Sequence, residues 1–187
     1  MSSPHLMRAL RQDHRNLVML LDLLEREIER FERAEGADYE LMGAIATYCL
    51  DYPDKMHHPR EDRLLERLRM RDPEAAAKIG DLEAEHRSLA ALTRRFAEAI
   101  DDVLLDREIA RETVDRVARE FLTAYRKHMA MEDETFFPVA EAALRGADWA
   151  ALAGTMADPD DPLFGVRVAR RFQSLRDDIL AMAEAED

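Results

Sequence analysis

MRALRQDHRNLVMLLDLLEREIERF, residues 7–31, decides the fold. Met7, Leu10, His14, Leu17, Leu21, Leu24, Ile28 and Phe31 recur at alternating spacings of three and four. That is the one-sided stripe of an amphipathic helix. A histidine holds one of its core positions, and an imidazole buried without partners costs free energy. Ser3-Pro4 places a cap residue before a proline, so helix A is expected to open there and to end before Gly36.

Working outward, the same pattern returns three times. Helix B starts near Asp38 and carries Met42, Ala46, Cys49, Pro53, His57, Glu61, Leu64 and Leu68 on one face. Pro53 and Pro59 each remove a backbone donor, which predicts a kink. Asp72-Pro73 marks a turn and a fresh helix start. Helix C has Ile79, Leu82, His86, Leu89, Phe96 and Ile100 as its stripe, and Asp101 to Asp106 reads as the next connection. Helix D spans about Arg107 to Leu144, with Val114, Val117, Phe121, Ala124, His128, Glu132 and Thr135 inward and a bend at Pro138. Gly146 to Pro162 combines a short helix around Trp149 with turn signals, and a last helix follows from about Val166 to Ala183. Its stripe is Val168, Phe172, Leu175 and Ile179.

Long helices with short connections predict an all-α chain: an antiparallel up-down-up-down four-helix bundle over 1–145 with an additional C-terminal helix. Residues 146–187 form the turn-rich segment and that helix, packed on the bundle or at an oligomer interface, which leaves a homodimer open. The net charge of −13, from 40 acidic and 27 basic residues among 187, argues against nucleic acid and anionic membranes as partners. Cys49 is the one cysteine, which fits a reducing compartment. No run approaches the ~18 apolar residues of a spanning helix, so a cytoplasmic protein is expected.

The chemistry lies in His14, His57 with Glu61, His86, and His128 with Glu132. Residues i and i+4 share a helix face, so each His-x3-Glu presents an imidazole beside a carboxylate. Singly, each is read as an ordinary core histidine or a surface pair. Together, one histidine per helix in the apolar stripe points to a shared metal pair. Imidazole with carboxylate suits iron and manganese above all, with zinc also compatible, and a carboxylate can bridge two cations. In HHPRED, residues 57–62, His58 with Asp62 forms a second pair rotated by ~100° and is the alternative to His57 with Glu61. His58 is then solvated or a supplementary ligand. Asp133 is the alternative to Glu132. His5 falls on the opposite face of its helix, Cys49 and Tyr125 read as core, and Asp133-Glu134 reads as solvated surface.

These residues resemble the hemerythrin-like family of histidine–histidine–glutamate cation-binding bundles, over roughly residues 5–140. The resemblance implies a non-haem di-iron centre with carboxylate and oxo or hydroxo bridging. It makes His14, His57, His86 and His128 terminal ligands, and Glu61 and Glu132 bridges. The chain departs from the oxygen carriers in two places: they have a second histidine on the third helix, where this sequence has Leu82 and Ala90, and a His-x4-Asp spacing on the fourth, which only the alternative Asp133 meets. One metal is then short of a ligand unless His58 supplies it. The expected function is binding or sensing of a small ligand (dioxygen, nitric oxide or peroxide) or of iron itself. The alternatives are a di-iron enzyme of nitric oxide or peroxide detoxification or iron-centre repair, fed by an external electron donor, and a metal-free helical interaction module.

Overall fold

The computed structural model of the protein describes residues 5–155 and 160–186. Helix α1 runs His5–Glu32; the expected opening at Ser3-Pro4 lies outside the described residues. Gly36 adopts a left-handed φ of 77° and turns the chain. Asp38 then caps α2, Tyr39–Asp51, by accepting from the Leu41 N–H.

Two prolines shape the middle of the bundle in the same way. A proline has no N–H, and its ring crowds the carbonyl four residues back. At Pro59 the chain answers with a π-helical turn over Pro53–His57, closed by the His58 N–H on the Pro53 carbonyl, before α3, His58–Arg71, continues. At Pro138 it repeats the device. Helix α6, Arg111–Met131, passes into a π turn over Glu132–Phe136. The Phe137 N–H reaches the Glu132 carbonyl there, and α7 follows over Phe137–Ala143. Each π turn inserts one residue into the helix and moves the inward register by one.

Between these two arms lie α4, Pro73–Ala77, and α5, Leu82–Leu104, capped by Asp72 and Asp81. The expected connection at Asp101 is helical as far as Leu104, because Phe96, Ile100 and the half-buried Val103 continue the stripe. Helix α6 accordingly starts at Arg111 and not at Arg107. After α8, Gly146–Thr155, the last helix also starts later than expected. Asp161 accepts from the Leu163 and Phe164 N–H groups and folds a turn there, Val166 is fully solvated, and a short 3-10 turn at Arg170–Phe172 leads into α9, Gln173–Glu186.

Neighbouring helices meet in reversed chain order. Arg111 opens α6 over the Phe31 ring at the end of α1, while Arg11 near the start of α1 pairs with Glu141 of α7 at 2.9 Å. Glu85 and Arg95 of α5 face His128 and Glu120 of α6 respectively. The interior is layered. A larger apolar cluster contains Leu17, Leu21, Phe96, Phe121 and Tyr125, with Leu175 and Ile179 of α9 packed on it. A smaller one contains Met7, Leu10, Leu64, Leu68, Phe136 and Phe137, with Leu152 of α8 beside it. Each such buried side chain contributes about 1.5–3 kcal/mol. Between the layers sit His14, His57, His58, Glu61, His86, His128 and Glu132, all buried. No helix among the described residues is long and apolar enough to cross a membrane.

Candidate metal centre

Helix α1 illustrates how the polar layer is placed: Leu10 belongs to the smaller cluster, Leu17 to the larger, and His14 lies one turn from each. The same alternation puts His86 between Leu82 and Leu89 on α5, and His128 between Tyr125 and Phe136 across α6 and its π turn.

All six expected residues come together, and so does a seventh. The ligand atoms of His58, Glu61, His86 and His128 lie within 4.8 Å of one another, and so do those of His14, His57, Glu61 and Glu132. The sequence presented His57 and His58 as alternatives, with His58 solvated or supplementary. Both are buried, His58 at 4% exposure. The π turn is the reason: Cys49, Pro53 and His57 follow the upstream register, whereas His58, Glu61, Leu65 and Leu68 follow the shifted one. His58 stacks on His86 at 4.3 Å between ring centroids and stands edge-on to His128 at 5.6 Å.

The two glutamates straddle both groups. Glu61 Oε1 lies 3.1 Å from His57 Nε2 and 3.7 Å from His14 Nε2, while its Oε2 faces His86 Nε2 at 3.5 Å. Glu132 Oε2 lies 3.3 Å from His14 Nε2, and its Oε1 lies 3.4 and 3.2 Å from the Nε2 atoms of His86 and His128. Each carboxylate thus offers one oxygen to each group.

The outward nitrogens face a second ring of acids, which hydrogen-bonds to two of them, His57 Nδ1 and His86 Nδ1. His57 Nδ1 meets Asp13 at 2.9 Å, His86 Nδ1 meets Asp62 at 2.8 Å and His14 Nδ1 meets Asp133 at 3.0 Å. His58 Nδ1 faces Asp54 at 3.3 Å and His128 Nδ1 faces Glu85 at 3.6 Å. A carboxylate on Nδ1 fixes that nitrogen as the donor and leaves the Nε2 lone pair for a cation. Asp62 and Asp133 therefore stand outside both groups and act on His86 and His14 from behind. Asp133, read from sequence as solvated surface, is half-exposed yet reaches His14. Sequence reasoning missed Asp13, Asp54 and Glu85. Asp54 had a signal, since it precedes His58 by one helical turn; Asp13 and Glu85, next in sequence to histidines, had none. Asp13 also accepts from Arg60, a buried arginine, and from Tyr52 Oη at 3.4 Å.

Inside the layer, hydrogen bonding leaves gaps. Both Glu61 oxygens, Glu132 Oε2 and the Nε2 atoms of His14, His57 and His128 are buried without a hydrogen-bond partner, and so are the outward Nδ1 atoms of His14 and His128 and Asp54 Oδ1. An orphaned buried polar group costs about 1–3 kcal/mol, and more when charged. The donor set fits divalent first-row metals in number, type and direction. Without an ion, protons take over part of that role. Burial opposes protonation of His14, but Asp133, Glu132 and Glu61 outweigh it and push its pKa up to about 12. Asp62, Glu132 and Glu61 do the same for His86, to about 11. Burial, reinforced by His86, drives His58 well down and keeps it neutral. Glu61 stays ionised against its burial because His57, His14 and His86 surround it. A ligating imidazole must be unprotonated, so loading a cation displaces those protons.

Small molecules can approach from more than one side. A cavity of about 420 Å³ between α5 and α6 touches His128 and is lined by Leu89, Leu92, Ala124 and Met131 together with Glu85 and Lys127. Another of about 240 Å³ touches His14 beside Arg11, Arg15 and Asp133.

The chain matches the family model described as Hemerythrin HHE cation binding domain over residues 5–140. No curated protein and no solved structure matches it.

Proposed function

The chain belongs to the hemerythrin HHE cation-binding family, and on that premise we propose that it is a non-haem di-iron protein that binds or senses dioxygen, nitric oxide or peroxide. One observation carries the reading: two buried donor groups share Glu61, and His57 and His86, one from each group, are hydrogen-bonded to an acid at the outer nitrogen. In this reading His58, His86 and His128 hold one ion and His14 and His57 the other. Glu61 and Glu132 span the two, and His58 takes the place of the absent α5 histidine. Iron supplies one-electron exchange and a coordination position open to a small ligand.

The chain's own residues do the rest. Asp13, Asp54, Asp62, Glu85 and Asp133 orient the imidazoles. The apolar clusters above and below exclude water and keep the local dielectric low, which strengthens each ion–carboxylate contact. The apolar cavity at His128 and the more polar one at His14 give a diatomic molecule or peroxide a way in. The test is to load the protein with Fe(II) under anaerobic conditions and add nitric oxide, dioxygen and hydrogen peroxide in separate samples. The proposal expects a new visible absorption with at least one of them, reduced in a His57→Ala variant that remains helical. Iron-loaded protein whose spectrum none of the three changes would refute the ligand-binding role. Loading with Mn(II) and Zn(II) in parallel tests the choice of metal.

A further inference from the structure

We propose that residues 160–172, outside the histidine bundle, form a clamp that positions His57 through Asp161, Tyr48, Tyr52 and Asp13. The inference rests on the metal-centre reading above and extends it to a part of the chain beyond the family match. Asp161 is held by its own turn: Oδ1 accepts from the Leu163 and Phe164 N–H groups at 2.8 and 2.9 Å, and its carbonyl accepts from Gly165 at 2.9 Å. Gly165 has no room for a Cβ, which would run into the Asp161 backbone. Oδ2 is left to receive the Tyr48 hydroxyl at 2.9 Å, a buried bond.

Tyr48 is fully buried and gripped by the same segment, with Phe164 and Phe172 both edge-on to its ring at 6.0 and 5.7 Å. Tyr48 stacks on Tyr52, the residue that caps the C-terminal end of α2, at 5.9 Å. The Tyr52 hydroxyl then reaches Asp13 Oδ1 at 3.4 Å, the longest hydrogen bond of the series, while Asp13 Oδ2 holds His57 Nδ1 at 2.9 Å. Asp13 lies on α1, and Tyr52 immediately precedes the π turn. The series therefore crosses the point where the inward register changes and where His57 acquires its direction. Its rings are rigid and its polar ends are bonded, so a shift of the 161–165 turn is transmitted to the Asp13 carboxylate. By linkage, an ion at His57 must stabilise the docked turn as much as the docked turn favours the ion.

The experiment is an anaerobic Fe(II) titration of the full chain against a ferrous chelator, with wild type, Tyr48→Phe, Tyr52→Phe and Asp161→Asn. Ile179→Ala, which removes buried apolar contact from α9 without touching the series, is the control for a merely structural role. Loss of an outer partner weakens metal binding by about 10–100-fold. The three series variants should show about tenfold weaker binding, by the same rule, of one ion with the other unchanged. Ile179→Ala should lower Tm and keep both affinities. Hydrogen exchange supplies a second readout: Fe(II) should slow exchange of the Leu163 and Phe164 amides in wild type and do so less in Tyr52→Phe. Unchanged affinities in all three variants, or an equal loss in Ile179→Ala, would overturn the clamp while leaving the metal centre standing. Wild-type protein that takes up no Fe(II) would remove both.

Discussion

The apolar layers and the polar layer between them are built on the same helix faces, with Leu10, His14 and Leu17 one turn apart on α1. They reach stability by different routes. In the apolar layers, contact between side chains is sufficient, and nothing external is needed. In the polar layer, both Glu61 oxygens, Glu132 Oε2 and the Nε2 atoms of three histidines find no hydrogen bond, although acids hydrogen-bond to His57 and His86 from behind. A buried layer with so many ligating atoms unsatisfied is prepared for a ligand that comes from elsewhere. Paired substitutions can break this contrast.

The largest effects should separate the layers cleanly. Phe96→Ala in the larger apolar cluster should cost about 3–5 kcal/mol of stability, measured by denaturant unfolding, and leave the iron content per surviving folded chain unchanged. Glu61→Gln should do the opposite: the fold stays helical by circular dichroism and iron falls to one per chain or fewer. Removal of metal comes next. Chelation should lower Tm, and Fe(II) at a hundredfold excess over Kd should restore about 2.7 kcal/mol; a Tm indifferent to iron would dissolve the contrast between layers. Within the polar layer, His57→Ala and His58→Ala should each lose one ion and keep the other, read as iron per chain. A His58→Ala protein with full iron would return His58 to a packing role.

The smallest effect concerns the join between α3 and α8. Asp148 accepts from Arg67, Arg71 and the Arg145 N–H, and the Arg71 hydrogen bond, then Arg145, hold its pKa well below the ordinary 3.8. A depressed carboxylate stabilises the fold above its unfolded pKa and loses that contribution as pH falls through the folded value. Asp148→Asn should therefore lower Tm at neutral pH, and the gap to wild type should close only in strong acid, below about pH 4. A gap that widens on acidification would reverse the assigned sign.

Much of this was legible before the structure. The stripes of α1, α5 and α6 follow from three-four spacing alone, and that spacing put His14, His86 and His128 in the interior. Helix ends were less legible. Val103 continues the stripe past Asp101-Asp102, and the Asp161 turn delays α9 until Gln173. His58 stood only as an alternative or supplementary ligand, because the expected kink at Pro53 and Pro59 does not by itself say which register follows it. In a continuous α-helix only one of His57 and His58 faces inward, whereas the π turn buries both. The acids behind the histidines were hidden for another reason. Asp13, Glu85 and Asp133 look like solvated positions in their own helices, and their partnership with a histidine exists only once neighbouring helices are packed.

The measurement that bears most directly on the account is iron per chain after anaerobic Fe(II) loading of the wild-type protein and removal of excess metal. The account predicts two. A folded, helical protein that retains none would contradict it, and the seven polar residues between the apolar layers would then need another explanation.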